Sequence, residues 1–443
     1  MLRIGPRSAR PTLAGYPERS VIDPTALRRR AAPIDRSSDR LVALGAIAIA
    51  VAFLFLAVVA TFPPVDVRRG AWLPLHIALA GAATTAIAGV MPFFAAAFAA
   101  APPSDARLRA AAVGAVAVGA AAVSFGVVAN EVGVAVAGGI GFVAGIALTG
   151  TATVRPLGRA LGPSRGLVTQ GYVAALAEVA VGASLATLFV AGWPPIVESW
   201  ARVKPAHAWL NLVGFVSLVI ATTLLHFFPT VVGARIALRP SARVTVAGLA
   251  VGAAVVAVGF ILASDPAARI GALGVIGGAC GLAIYAWRTW QTRAHWTSDP
   301  GWHRFAMGGL VSAIAWFEAG ILLAAVRVLV FGADPAGWSV EVLAGPLVIG
   351  WVGLAIVSSA THLLPAVGPG DPISHARQRR LLGRAVTFRL VALDVGILAL
   401  AVGLPLGLVA LGTVGAVLVA VGLGISAVLL GTAATMGVRH GRA

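Results

Sequence analysis

Residues 214–233 read GFVSLVIATTLLHFFPTVVG, and residues 350–369 read GWVGLAIVSSATHLLPAVGP. Each stretch is apolar on every side, with one histidine as its only ionisable group. Each is also long enough to cross the hydrocarbon core of a bilayer, which takes about 20 residues. Aligned without gaps they share Gly214/Gly350, Val216/Val352, Leu218/Leu354, Ile220/Ile356, His226/His362, Pro229/Pro365 and Val231/Val367. A histidine twelve residues after a glycine, followed by two large apolar residues and proline, is more than shared hydrophobicity requires. The plainer reading is two helices with similar proline-containing ends.

Working outward, the same kind of run recurs along the chain. Spans are expected at about 41–63, 72–100, 110–129, 132–153, 167–192, 207–232, 244–264, 269–287, 305–332, 342–367, 386–406 and 412–435. The third and fourth are joined only by Asn130 and Glu131, so they could be one span or two. The expected fold is all-α, a polytopic bundle of about twelve transmembrane helices. The composition agrees: of 443 residues 59% are hydrophobic and 11% charged, with mean hydropathy +0.93, against about 25% charged in soluble domains.

The two quoted runs are the sixth and tenth spans. The second keeps their spacing more faintly, with Gly81, Ile87 and Phe93 at the histidine position. Spans two, six and ten are four apart, which predicts three rounds of four helices.

A net charge of +17 raises a nucleic-acid binder, but the placement of the charge excludes it. With the N-terminus inside, 26 Lys and Arg fall in inside loops and tails and five in outside loops, leaving Arg327 and Arg389 within spans. That bias puts both termini in the cytoplasm. Residues 1–40, with Arg28, Arg29 and Arg30 in a row, read as a disordered basic tail, 41–435 as the membrane domain and 436–443 as a short tail. No apolar run precedes residue 41, so the first span is expected to act as an uncleaved anchor. Arg outnumbers Lys 32 to 1 amid abundant Ala and Gly, which suggests the inner (plasma) membrane of a GC-rich bacterium. Cys280 is the single cysteine, so no intramolecular disulfide forms.

Four of eight histidines, His76, His207, His226 and His362, fall in or beside spans two, six and ten. His295, His303, His375 and His440 fall in inside loops or the tail, where a solvated histidine needs no explanation. Depth sorts the first four, because His207 and His226 are 19 residues apart, about 28 Å along a helix. They form an outer pair, His76 with His207, and an inner pair, His226 with His362, of which the repeated inner pair is favoured. Such pairs can ligate haem iron, and imidazole also suits copper or zinc. Alternatively, each histidine caps a helix or bonds a neighbouring one.

Glu178, Glu318 and Asp394 are carboxylates within spans. Asp394 is expected to pair with Arg389 nearby. Glu178 and Glu318 lack a same-helix cation and suit either proton or ligand handling or helix–helix hydrogen bonds. No Walker motif, CxxC or dense Cys/His cluster is present, and four methionines are too few for a methionine-lined copper path.

Twelve spans, four-helix rounds and histidines on spans two, six and ten resemble subunit I of haem-copper oxidases and nitric oxide reductases. The segment His207-Ala-Trp-Leu-Asn-Leu-Val-Gly-Phe also resembles helix starts of C-type oxidase subunits and of the NnrS family. The resemblance implies that His76 matches the low-spin haem ligand and His207 the histidine opening the sixth-helix motif. It implies haem b as cofactor ahead of copper, and an electron-transfer or membrane-complex partner. The match is incomplete: residues 244–264 hold no histidine pair for copper, and span ten holds His362 alone. A divergent relative without a complete oxygen-reducing site is expected. The competing readings are a proton-coupled secondary transporter using Glu178 and Glu318, and a structural subunit of a membrane complex.

Overall fold

The computed structural model describes residues 37–67, 69–160, 166–294, 302–368 and 370–440. The expected basic tail falls outside these apart from residues 37–40, which open the first helix. Twelve helices are long and apolar enough to span a membrane: α1 Arg40–Val59, α2 Trp72–Phe98, α3 Ala106–Ala129, α4 Val132–Arg159, α5 Leu167–Val190, α6 Trp200–Val232, α7 Pro240–Ile261, α8 Asp265–Gln291, α9 Trp302–Phe331, α10 Ala344–Val367, α11 Val386–Gly403 and α12 Val409–Gly437. The last continues as helix to His440. Among the described residues there is no strand. Phe55, Phe125, Ile140, Ile270, Leu322 and Val428 are each more than half exposed on the outside of the bundle. Such a surface is an aggregation hazard in water and is solvated by lipid tails.

An even number of spans brings the start of α1 and the end of α12 to one end, called here the terminal end; the opposite one is the far end. Helices α2, α6 and α10 therefore run from the far end to the terminal end.

The three rounds of four helices are visible residue by residue. In each round the first helix packs on the second at matched positions. Ala46 and Phe53 of α1 fill the space beside Gly89 and Gly81 of α2. Gly171 and Glu178 of α5 meet Thr222 and Gly214 of α6, and Gly309 and Trp316 of α9 meet Ser358 and Gly350 of α10. Four residues further along, Gly182 takes Asn211 and Gly320 takes Leu347. The partners keep one register throughout, each first-helix pair being seven residues apart. All three second helices also carry a π-helical stretch, at Ile77–Ala83, Trp209–Ser217 and Ala344–Gly353. Such wide turns inside long helices often mark functional sites.

The third and fourth helices of each round form a tight hairpin. Its glycines are Gly119, Gly126, Gly138 and Gly145 in round one, Gly252, Gly259, Gly271 and Gly278 in round two, and Gly396, Gly403, Gly415 and Gly422 in round three. Their spacing is 7, 12 and 7 each time. A Cβ at any of the twelve would come within 3.0 Å of the facing helix. Close backbone approach through small residues is the main source of helix association in lipid, where burial of apolar surface supplies little. The connecting turns are one conformation used three times: Asn130, Ala263 and Gly407 have φ of 60°, 52° and 65°. The next N–H, of Glu131, Ser264 or Leu408, donates back to Gly126, Gly259 or Gly403 at 2.8–2.9 Å. The Asn130–Glu131 joint thus separates two full spans.

Candidate functional site

At the far end, His76 of α2 and His207 of α6 come together, with ring centres 6.3 Å apart and planes 11° from parallel. His76 Nδ1–H donates to the Trp72 carbonyl at 2.8 Å, and its ring stacks on the Trp72 indole at 4.2 Å. His207 Nδ1–H donates to the Gly182 carbonyl of α5, also at 2.8 Å. A carbonyl only accepts, so both rings are held as the Nδ1–H tautomer and both keep the lone pair on Nε2. A second partner that fixes tautomer and ring orientation is what a metal-ligating histidine needs. Asn211, one turn on from His207, donates to the His207 carbonyl at 2.6 Å. Its amide occupies the space a Cβ on Gly182 would take, which is why the α5 carbonyl can approach the ring.

One turn deeper on α5, Glu178 is buried against Gly214 in the π-helical stretch of α6, and its Oε2 has no hydrogen-bond partner. Glu178 occupies the position held by Phe53 in round one and Trp316 in round three. Likewise Asn211 stands where round three has Leu347, and in the register shared by Gly214 and Gly350 His207 stands where round three has Leu343. Three equivalent interfaces are therefore built, and only the second is polar at these positions.

At the terminal end the expected inner pair does not form. His226 stacks on Phe98 of α2 at 4.6 Å, and no ring contact joins it to His362. The neighbour of His362 is His303, with ring centres 5.5 Å apart. His303 was expected in a solvated loop. Instead α9 begins at Trp302, and His303 is 1% exposed in its first turn, its Nε2–H donating to the Val231 carbonyl at 2.7 Å. The run of residues after Arg304 is the first clearly apolar one, which places the span start too late; the bulky Trp302 beside the histidine was the signal available.

The other carboxylates also differ from expectation. Asp394 accepts hydrogen bonds from Ser312 Oγ and, at 2.9 Å, from Trp316 Nε1. Arg389 turns away from it, donating to the Leu382 carbonyl at 2.6 Å and lying 3.9 Å over the Phe305 ring. Glu318 is part-buried, and its Oε1 has no partner. Arg327 donates to the Gly337 carbonyl at 2.7 Å. Among the described residues no group of three or more His, Cys, Asp or Glu could hold a metal ion.

No protein-family model and no curated protein matches this chain, so the geometry carries the functional reading.

Proposed function

We propose that this membrane protein holds a haem, or less favourably a single copper ion, between His76 and His207. The chain would then be a divergent relative of the haem-copper oxidase subunit I-like proteins. The observation that carries the reading is the break in pseudo-symmetry. Rounds one and three close the same interface with apolar side chains, so packing does not demand His207, Asn211 and Glu178 in round two. Polar groups at membrane depth are costly and tend to be functional. The donor set fits the group: two neutral imidazoles, each anchored through Nδ1, would suit haem iron, whereas structural zinc sites take four ligands.

When bound, haem would supply one-electron chemistry. Of the protein's own groups, Trp72 and Gly182 orient the rings, Asn211 braces the α6 backbone, and Glu178 offers a carboxyl beneath the pair. The charge bias of the loops favours an outward-facing far end in a bacterial plasma membrane, where an electron-transfer partner would meet it. An absorption spectrum of detergent-purified protein made with adequate haem tests the reading. A Soret band that sharpens on dithionite reduction and is lost in His76→Ala/His207→Ala supports it; a featureless spectrum with no bound metal rejects it.

A second reading, a proton-coupled transporter, draws on the partnerless oxygens of Glu178 and Glu318. Proton-coupled flux in proteoliposomes, lost in Glu178→Gln or Glu318→Gln, would favour it.

A further inference from the structure

At the far end, α9 stops at Phe331, and the chain turns through Gly332 at φ 64° into a short 3-10 turn at Pro335–Gly337 before α10. This turn is fixed from outside. Asp265, which opens α8, accepts from the Ala333 N–H at 2.9 Å and fills the space a Cβ on Gly332 would take. Between the turn, the last turns of α9 and Phe260 of α7 lies a pocket. Phe260, Phe331, Trp338 and Leu343 wall it, and Arg327 and Asp334 are its charged groups. Arg327 Nε donates to the Gly337 carbonyl at 2.7 Å, and its guanidinium carbon lies 5.3 Å from the Phe331 ring centre. That leaves the terminal nitrogens for another acceptor. Asp334 Oδ1 accepts from the Ala336 N–H at 2.8 Å, which leaves Oδ2. Among the described residues no ion pair joins Arg327 to Asp334. Packing does not demand the arginine either: in the register that pairs Gly182 with Gly320, round two has Phe189 there, stacked on Trp200 at 3.9 Å.

We propose that this pocket binds the headgroup of a phosphatidylethanolamine, with the phosphate on Arg327 and the ammonium on Asp334. Two opposite charges held apart in one pocket are complementary to a zwitterion. A planar guanidinium suits a phosphate, and a carboxylate oxygen can only accept, so it suits an ammonium that donates. A choline headgroup has no N–H to offer, and the carboxylate disfavours a headgroup with net negative charge. The apolar walls and the setting select a lipid over a free zwitterion. Phe331 lines the pocket and is 47% exposed, continuous along the chain with Val330 at 63%. Trp338 stands at the end of a span, the depth at which indoles meet headgroups.

The test is native mass spectrometry of detergent-purified full-length protein, offered phosphatidylethanolamine, phosphatidylglycerol or phosphatidylcholine of matched chains. The expected result is one retained phosphatidylethanolamine, preferred roughly tenfold over either of the others. Arg327→Gln should abolish that retention. Asp334→Asn keeps a side-chain oxygen for the Ala336 cap and should keep lipid binding while shifting the preference toward phosphatidylglycerol. A misfolded variant does not produce such an exchange of preference. Equal retention of the three lipids by the native chain overturns the proposal, as does an unchanged preference in Asp334→Asn. Displacement of the lipid by an equal concentration of soluble phosphoethanolamine overturns it too, and assigns the pocket to a free zwitterion. None of these outcomes depends on haem, so the His76/His207 reading stands or falls by its own spectrum.

Discussion

Gly214 has no Cβ, and the Glu178 carboxyl fills that space. Gly214→Ala forces the two apart in a packed interior and should lower stability by about 1–3 kcal/mol. Adding Glu178→Ala should return most of the loss, read as a coupling energy in a double-mutant cycle of denaturation in detergent. If the single substitution is silent, the contact is not as described. Arg389 is held by the Leu382 carbonyl and the Phe305 ring and is fully buried. Arg389→Ala should cost about 2 kcal/mol or more, whereas Asp394→Asn should leave Arg389 unaffected, a result that tells this arrangement from an Arg389–Asp394 ion pair. At this scale the sequence was only partly readable. Spacing along α2 and α6 puts His76 and His207 at one depth, and they do meet. Proximity along α11 suggested Arg389 with Asp394, but the direction in which each side chain leaves its helix sends them to different neighbours. The His303–His362 contact joins α9 to α10 through side-chain direction, which a list of apolar runs does not contain.

The helical hairpins are the strongest local units. Gly271 and Gly277 lie on one helix, but a Cβ at Gly271 would meet the α7 backbone while one at Gly277 has nothing within 4 Å. Gly271→Ala should therefore destabilise by about 1–3 kcal/mol, and Gly277→Ala should be neutral or slightly stabilising, since alanine is the better helix former. Thermal melts of the two variants side by side decide it. The twelve spans were legible because an unbroken apolar run of bilayer length has few other uses. The repeat was legible only where histidine and proline stand out, on α6 and α10. The glycine spacing of 7, 12 and 7 is equally present in the letters. It is masked by 53 glycines spread over the chain, and only the contacts reveal which of them face a neighbour.

Across the whole molecule, three nearly equivalent rounds permit a comparison the protein makes with itself. Replacing His207 and Asn211 with the leucines found at the matching places in round three should leave the fold intact. Melting should be unchanged or higher, because apolar replacement of buried polar groups is often neutral or stabilising. If the haem proposal is right, the same variant should lose the reduced-minus-oxidised spectrum, and a loss of folding instead would assign the polar set to structure. Orientation is testable at this scale too: reporter fusions after α12 should report the cytoplasm, and fusions within the α7–α8 turn should report the opposite side.

The glycine-lined hairpins also bear on how the chain is made. In each, the two helices satisfy most of their contacts with one another across a turn of a few residues. A nascent pair of this kind can leave the translocation machinery together, without waiting for later segments to shield it. Synthesis would then proceed by quarter-turns of assembly: two guiding helices, then a finished pair, three times over. Ribosome-bound chains truncated beyond Arg159 or Gln291 should already be protease-protected, while those ending within α3 or α7 should not.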